Sequence, residues 1–306
     1  MTRTRPLARH RIGAVFATVM ALAPFVAHAS GAVDLYYERS LMSAADARCG
    51  LFTPEIAAAL NASAAQARGA ALRAGMDGQS LGQIASRAKA KAGVVACRSS
   101  DLVTAAGRVR TAFDGYSRML RMIFPGDITS WRADRTLPVD GPAWRLSQTA
   151  ALTGGGGLTF GMIGQRGQPA QLMAMVDLGG GPSPYAARLL VRDPGRAPGP
   201  YLGAILVSSI SRLPLTSRAP PRYAAQVFAA ESRGPADVRL LPAGLKSATA
   251  FGFPAAAIDA IAGLDPREAI TVELVFPGRT GDVVRQAYVE VGDFAAGRAF
   301  LTLARR

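Results

Sequence analysis

Residues 269–291, which read AITVELVFPGRTGDVVRQAYVEV, have the pattern of a β-hairpin. Two runs rich in apolar and β-branched residues, 269–276 and 284–291, each suit a strand, and the segment 277–282 between them carries the proline and glycines of a turn. Strands joined by a short turn pair in the antiparallel direction. The sequence therefore predicts an antiparallel sheet near the end of the chain.

The residues around this hairpin predict a β-rich domain over 126–306. Alternating apolar and polar residues recur in short segments separated by glycine and proline, which is typical of strands. Two short helices complete the domain, one over 255–262 that ends at Gly263 and one from Asp293 to about residue 304. The further predicted strands are residues 157–163, 170–176, 186–191, 201–207, 223–229 and 238–241.

Residues 30–125 predict a small helical bundle. Alanines and larger apolar residues recur at three- and four-residue spacing between helix start and stop signals. For the third helix, Ser80 with Gln83 three residues on has the pattern of a capping box. The predicted helices cover residues 34–49, 54–75, 80–96 and 100–120. The predicted fold class is therefore α+β, a helical bundle followed by a mainly antiparallel, sandwich-like domain with C-terminal helices.

The first 29 residues have the three parts of a secretory signal peptide. Residues 1–11 carry four arginines and no acidic residue, an apolar run follows over 12–26, and Ala27-His28-Ala29 fits the cleavage pattern. The alternative, an N-terminal membrane anchor, would need roughly 20 apolar residues, and this run is shorter. We therefore expect cleavage after Ala29, no transmembrane helix in the mature chain, and a periplasmic or secreted protein.

Both histidines of the chain, His10 and His28, lie within the predicted signal peptide. The mature chain would then lack the imidazole that serine and cysteine nucleophile systems use as a base and that most zinc, copper and non-haem iron sites use as a ligand. No group of acidic residues has the spacing of a calcium loop. The sequence predicts no catalytic residue of these classes, no metal and no cofactor.

The two cysteines, Cys49 and Cys97, lie at the ends of the first and third predicted helices. An isolated pair in an exported protein indicates a structural disulfide bond. A redox-active dithiol is the alternative, but the spacing is far from Cys-x-x-Cys. The predicted bond would stabilise a bundle whose alanine-rich seams bury little apolar area.

The chain is basic, with 35 Lys and Arg residues against 21 Asp and Glu residues and a formal net charge of +14. Four of these basic residues and no acidic residue lie in the first 29 positions, so the mature chain keeps 31 against 21, a net charge of +10. The even spread of charge argues against a nucleic-acid-binding arm. A solvated surface is the first interpretation of this charge. Because arginine pairs with anionic groups, an anionic envelope component or another periplasmic protein is the candidate partner.

Two short motifs resemble nucleophile sites without their partner residues. Residues 78–82 match G-x-S-x-G around Ser80, but a predicted helix rather than a strand precedes them and the mature chain has no histidine. Ser86 and Lys89 form an S-x-x-K pair without the second and third motifs of the penicillin-binding enzymes. We interpret Ser80 as a helix cap and the S-x-x-K pair as part of a solvated helix face.

Glu273 and Glu290 are the candidate carboxylates of the predicted hairpin. Each lies on the polar side of its strand, so pairing of the strands could bring the two carboxylates together, as a glycoside hydrolase requires. The alternative is a solvent-exposed face on which they meet Arg279 or Arg285. A hydrolase of cell-wall or extracellular glycans is therefore the alternative function.

The C-terminal residues also carry a resemblance to a known family. They are the helix 257–264, the strand 270–276 and the segment AYVEVGDFAAGRAFL at 287–301, and Trp131-Arg132 matches the position of an opening tryptophan strand. This unit resembles the invasion-associated locus B proteins, which are small exported envelope proteins. It lacks the paired cysteines expected in such a domain, and the helical part of the chain has no counterpart in that family. The resemblance implies no catalytic residue. The leading prediction is thus a non-enzymatic exported binding or envelope-associated protein.

Overall fold

The computed structural model describes residues 25–137, 140–178, 181–202 and 213–302, with the backbone alone at residues 25–30. These residues form six α-helices and two antiparallel sheets of seven and four strands. Four helices precede the sheets and one closes the chain. The predicted α+β class is confirmed.

Four helices form the first part of the structure. The first is described from Phe25 onward, so it includes residues of the predicted signal peptide and extends before the predicted start at residue 34. It packs against the second and third helices, and fully buried alanines such as Ala45, Ala71 and Ala88 let the helices approach closely. Within the described ranges, no helix combines the length and the apolar character that a membrane span requires. The helices are α1 Phe25–Cys49, α2 Pro54–Arg73, α3 Gly78–Val94 and α4 Ser100–Arg118.

The cap of α3 differs from the one predicted. The carboxylate of Asp77 caps α3, because it accepts hydrogen bonds from the backbone N–H of Ser80 at 2.7 Å and from the Ser80 hydroxyl at 2.6 Å. The interpretation of Ser80 as the cap is therefore wrong, since a carboxylate three residues earlier occupies that position and suits the positive end of the helix. α4 begins at Ser100, as predicted, and Ser99 caps it.

The strands form two sheets that share one core. The first sheet has the strand order β1-β2-β3-β4-β5-β9-β8 and the second has the order β11-β10-β6-β7. Trp131 and Phe160 of the first sheet and Leu189 and Val272 of the second belong to a single apolar cluster, as in a β-sandwich. The strands are β1 Arg121–Pro125, β2 Ser130–Asp134, β3 Ala143–Ala151, β4 Gly157–Gly164, β5 Gln171–Asp177, β6 Ala186–Arg192, β7 Ala225–Ala229, β8 Ser232–Pro235, β9 Thr249–Phe253, β10 Ala269–Phe276 and β11 Val283–Glu290.

Two helices of the second part pack on this core. α5 Ala255–Ala262 and α6 Phe294–Thr302 contribute Ile261 and Phe300, both fully buried, to the same apolar cluster. The helix predicted over 255–262 is confirmed with its bounds, and Gly263 follows it as expected. The closing helix is confirmed over Phe294–Thr302, while its predicted last residues lie outside the described part of the chain.

The strand predictions hold best for the C-terminal hairpin. β10 and β11 pair antiparallel from Ala269 opposite Glu290 to Phe276 opposite Val283. The strand predicted over 238–241 is wrong, because Val238–Leu240 forms a 3-10 turn. The strand predicted over 223–229 covers Ala225–Ala229 only.

Several strands were not predicted, or lie beyond what the structure describes. Residues 201–202 are not in a strand, and the rest of the segment predicted over 201–207 lies outside the described residues. The strands β1, β3, β8 and β9 had no prediction of their own, and β2 was indicated only by the resemblance at Trp131-Arg132. Because β1 begins at Arg121, the first sheet starts before the predicted domain boundary at 125/126.

Candidate functional site

The structure pairs the strands of Glu273 and Glu290 but does not bring the two carboxylates together. Glu273 lies opposite Gln286, and Glu290 lies opposite Ala269, so the two glutamates are four positions apart along the hairpin. At roughly 3.4 Å per residue this offset is about 14 Å along the strands. Glycoside hydrolases need carboxyl groups about 5–10 Å apart. The hydrolase alternative stays a prediction without support from this geometry.

Glu290 is fully buried and holds the loop between β1 and β2. Its Oε1 accepts a hydrogen bond from the backbone N–H of Asp127 at 2.6 Å. Its Oε2 accepts from the backbone N–H groups of Ile128 at 3.0 Å and Thr129 at 2.8 Å. A Cβ at Gly126 would lie 2.5 Å from the Glu290 carboxyl carbon, so the loop can approach this closely because residue 126 is glycine. The expectation of a solvent-exposed Glu290 is wrong, because the folded loop replaces water as its hydrogen-bond donor.

Further charges surround Glu290 and form a buried ion-pair cluster of Arg73, Asp127, Arg218, Glu290 and Asp293. Arg73 donates two hydrogen bonds to the Asp293 carboxylate, at 2.7 and 3.1 Å. Arg218 donates to Asp127 at 2.8 Å, and its Nη1 lies 3.7 Å from Glu290 Oε1. Burial raises the pKa of both Asp127 and Asp293, and the hydrogen bonds from Arg218 and Arg73 oppose that rise. The cluster joins α2 to the β1–β2 loop and to the start of α6.

Glu273 is buried in a different way. Only 1% of its side chain is exposed, and it pairs with Arg222, whose side chain is 57% exposed. Its other oxygen accepts a hydrogen bond of 3.3 Å from the Gln286 side chain. The expectation that it meets Arg279 or Arg285 on a solvent-exposed face is wrong, because the Arg222 side chain reaches it from outside the hairpin. Neither glutamate is placed to act on a ligand from the hairpin surface.

The cysteine prediction agrees with the structure. The sulfur atoms of Cys49 and Cys97 are 2.06 Å apart and the Cα atoms are 5.6 Å apart, which fits a disulfide bond. Cys49 is the last residue of α1, and Cys97 follows the end of α3. The bond therefore links these two packed helices.

The nucleophile motifs lie on the exposed side of α3. The Ser86 hydroxyl donates a 3.0 Å hydrogen bond to the carbonyl oxygen of Gly82, and Lys89 is exposed, which agrees with a solvated helix face. Within the described ranges, no group of three or more His, Cys, Asp or Glu side chains is arranged to hold a metal ion.

A groove crosses the face of the first sheet that points away from the shared core. We call it the outer-face groove. Arg132 of β2 lies opposite Ser147 of β3, and side chains alternate between the two faces of a sheet, so these residues share the outer face with Thr159 of β4. The groove has a volume of about 450 Å³. Its main lining residues are Arg132, Asp134, Trp144, Ser147, Thr159 and Arg239.

The outer-face groove combines fixed and available groups. The Trp144 indole N–H donates a 3.0 Å hydrogen bond to the Leu240 carbonyl oxygen, which holds the ring in place. Arg239 is paired with Asp237, and the hydrogen bond from Arg239 lowers the pKa of that carboxyl to about 2. Arg132 is exposed and makes no hydrogen bond or ion pair with another described residue, so its guanidinium is available to a ligand.

Asp134 is the acidic residue that lines this groove, and an ion pair with Arg121 largely compensates its charge. Burial opposes its ionisation, but the hydrogen bonds from Arg121 and Thr136 outweigh burial and lower its pKa. The Asp134 carboxylate is therefore ionised but paired with Arg121, which leaves the unpaired charge of the groove positive. The sequence noted Arg132 only through Trp131-Arg132; the alternation of residues 130–134 was the signal that could have placed Arg132 on an outer sheet face.

Comparison with known proteins gives no family. No protein-family model matches the chain, no curated protein matches its sequence, and no solved structure matches its fold.

Proposed function

We propose that this chain is a non-enzymatic exported protein of the cell envelope that binds an anionic saccharide in the outer-face groove. The observation that carries the proposal is Arg132, an exposed cation without a protein partner among the described residues, on the floor of a groove that also presents an aromatic ring and hydroxyl groups. The predicted export signal and the resemblance to invasion-associated locus B proteins support the periplasm as its place of action.

The chemistry of the groove suits such a ligand. An arginine binds a carboxylate or phosphate through two parallel hydrogen bonds, and these charge-assisted bonds are stronger than neutral ones. Trp144 offers a rigid apolar surface to the ring of a sugar, and Ser147 and Thr159 offer hydroxyl groups to its polar edge. Both candidate glutamates are held in structural contacts, so binding is favoured over hydrolysis.

A titration with polygalacturonate tests the proposal, with neutral dextran as the uncharged control. We expect the purified chain to bind polygalacturonate, to bind it less tightly as salt is added, and not to bind dextran. Arg132→Gln should weaken binding about tenfold, because one charge-assisted contact contributes at least about 1.4 kcal/mol. Arg108→Gln, at an exposed arginine of α4, is the matched control and should leave binding unchanged.

Three results would contradict the proposal. They are no binding of polygalacturonate, equal binding of dextran, and equal weakening by the Arg132 and Arg108 substitutions. The last result would mean that the general positive charge of the chain, rather than the outer-face groove, attracts the polymer.

A further inference from the structure

A second groove lies on the helical part of the molecule, away from the outer-face groove. We call it the helical groove. α2 contributes Ile56 and Leu60, α4 contributes Val109 and Phe113, and β1 contributes Met122, so most of its lining is apolar. Its volume is about 300 Å³. An apolar groove of this size on a small helical bundle can shelter an aliphatic chain from water.

Arg39 of α1 is the charged residue of the helical groove. Its Nη1 donates a 2.7 Å hydrogen bond to the backbone carbonyl oxygen of Ser63 on α2, which fixes the guanidinium over that helix. No carboxylate of the described residues lies within ion-pair distance of it. Partial burial lowers its pKa, and the charge of the exposed neighbour Glu38 opposes that effect.

Arg39 differs in its partners from three arginines inside the described structure that are held by a carboxylate. Arg73, Arg192 and Arg218 each have a carboxylate oxygen within 2.6–2.8 Å. A guanidinium that is partly buried and has no carboxylate beside it has lost part of its hydration, and no opposite charge offsets this loss. An anionic group in the helical groove would supply the counter-ion that Arg39 lacks among the described residues.

We propose that the helical groove binds a single-chain amphiphile, with its aliphatic chain on the apolar side chains and its anionic head group paired with Arg39. The apolar lining recognises the chain, and the cation at its border selects the sign of the head group. This site is separate from the outer-face groove. The amphiphile proposal can therefore be refuted without affecting the proposed saccharide binding, and the reverse also holds.

Calorimetric titration of the purified chain with three ten-carbon amphiphiles, each kept at concentrations where it is dissolved as single molecules, tests this site. The amphiphiles are decanoate, 1-decanol and decyltrimethylammonium. We expect decanoate to bind at one site per chain, decanol to bind about tenfold more weakly, and the cation to bind more weakly still. Arg39→Gln should remove the preference for decanoate over decanol and keep decanol affinity, whereas Arg108→Gln should preserve the preference.

A pair of tryptophan substitutions places the site. Ala112 lines the helical groove and is exposed, so Ala112→Trp should obstruct the groove without disturbing the core and should weaken decanoate binding at least tenfold. Ala90→Trp, at an exposed alanine of α3 outside the groove, should not. The proposal is overturned if decanoate does not bind, if the three amphiphiles bind equally, or if the two tryptophan variants behave alike while circular dichroism shows both to be folded.

Discussion

Replacing Glu290 by glutamine, with Glu273→Gln as its matched control, measures what the buried contact with the β1–β2 loop contributes to stability. The two glutamates lie on adjacent strands of one hairpin, and each is at most 1% exposed. They differ in their partners. Glu290 faces three backbone N–H groups and the fully buried Arg218, whereas Glu273 faces the half-exposed Arg222.

The structure gives an expected size for each effect. In Glu290→Gln one carboxylate oxygen becomes an NH₂ group. This hydrogen-bond donor then faces the backbone N–H groups of the loop, which are donors as well. Hydrogen bonds to a charged group contribute about 1.5–3 kcal/mol each. Arg218 also loses a nearby negative charge while it stays buried. Arg218 keeps its hydrogen bond to Asp127, so the lost bonds to the loop and the lost charge beside Arg218 together are expected to cost about 3–5 kcal/mol. In Glu273→Gln, Arg222 can turn into water, so the expected cost is about 1 kcal/mol.

Urea unfolding followed by tryptophan fluorescence provides the assay, because Trp131 is fully buried and donates a hydrogen bond to the Val291 carbonyl oxygen, next to Glu290. The free energy of unfolding should fall by about 3–5 kcal/mol for Glu290→Gln. Complete unfolding of this variant, with Glu273→Gln still folded, agrees with the expectation, since domains are stable by only about 5–15 kcal/mol. Equal losses in the two variants would refute the reasoning.

Three further results are expected. Cys49→Ser with Cys97→Ser should lower the free energy of unfolding in urea by about 4 kcal/mol, as chain entropy predicts for a sequence separation of 48, and a loss below about 1 kcal/mol would contradict this. Burial raises the pKa values of Asp127 and Asp293 in the folded protein. The stability that these two carboxyl groups contribute is therefore present below about pH 4, near their unfolded-state pKa values, and is lost as the pH rises through the raised folded-state values. The urea midpoint of Asp293→Asn should therefore fall less between about pH 4 and 7 than that of the parent chain, and an equal fall would exclude Asp293 as a source. N-terminal sequencing of the chain from a periplasmic extract should begin at Ser30, and a chain that begins at Met1 would remove the basis for export.

The parts of the fold that the sequence predicted are those with a clean local pattern. The hairpin of β10 and β11 has long apolar runs around a turn, and α5 ends at a glycine, so both were placed within a residue. β3 was missed because its alternation is broken. A bulge between Trp144 and Leu146 shifts its register, and Arg145 and Gln148 are buried. Gln148 exchanges two hydrogen bonds with the backbone of Glu290, which no local pattern could indicate.

The same reason limits what the sequence could say about the candidate sites. The polar position of Glu290 in its strand suggested an exposed carboxylate, but its partners are residues 127–129, more than 160 positions earlier in the chain. Arg39 showed no motif at all, because its situation depends on α2 and α4 enclosing a groove beside it. Sequence periodicity cannot show that a polar side chain is buried against the backbone of residues far away in the chain.

The long-range bonds of β11 also set the order in which the molecule can be completed. The Trp131 indole N–H can donate its hydrogen bond to the Glu290 carbonyl oxygen only after that residue, 159 positions further along the chain, has been made. At roughly 5–20 residues per second, a ribosome needs on the order of 10–30 s to supply it. Until then the first strands have neither their loop anchor nor the floor of their core. The two sheets therefore cannot complete their shared core before β11 has been made, whereas the helical part makes most of its contacts among residues 25–118.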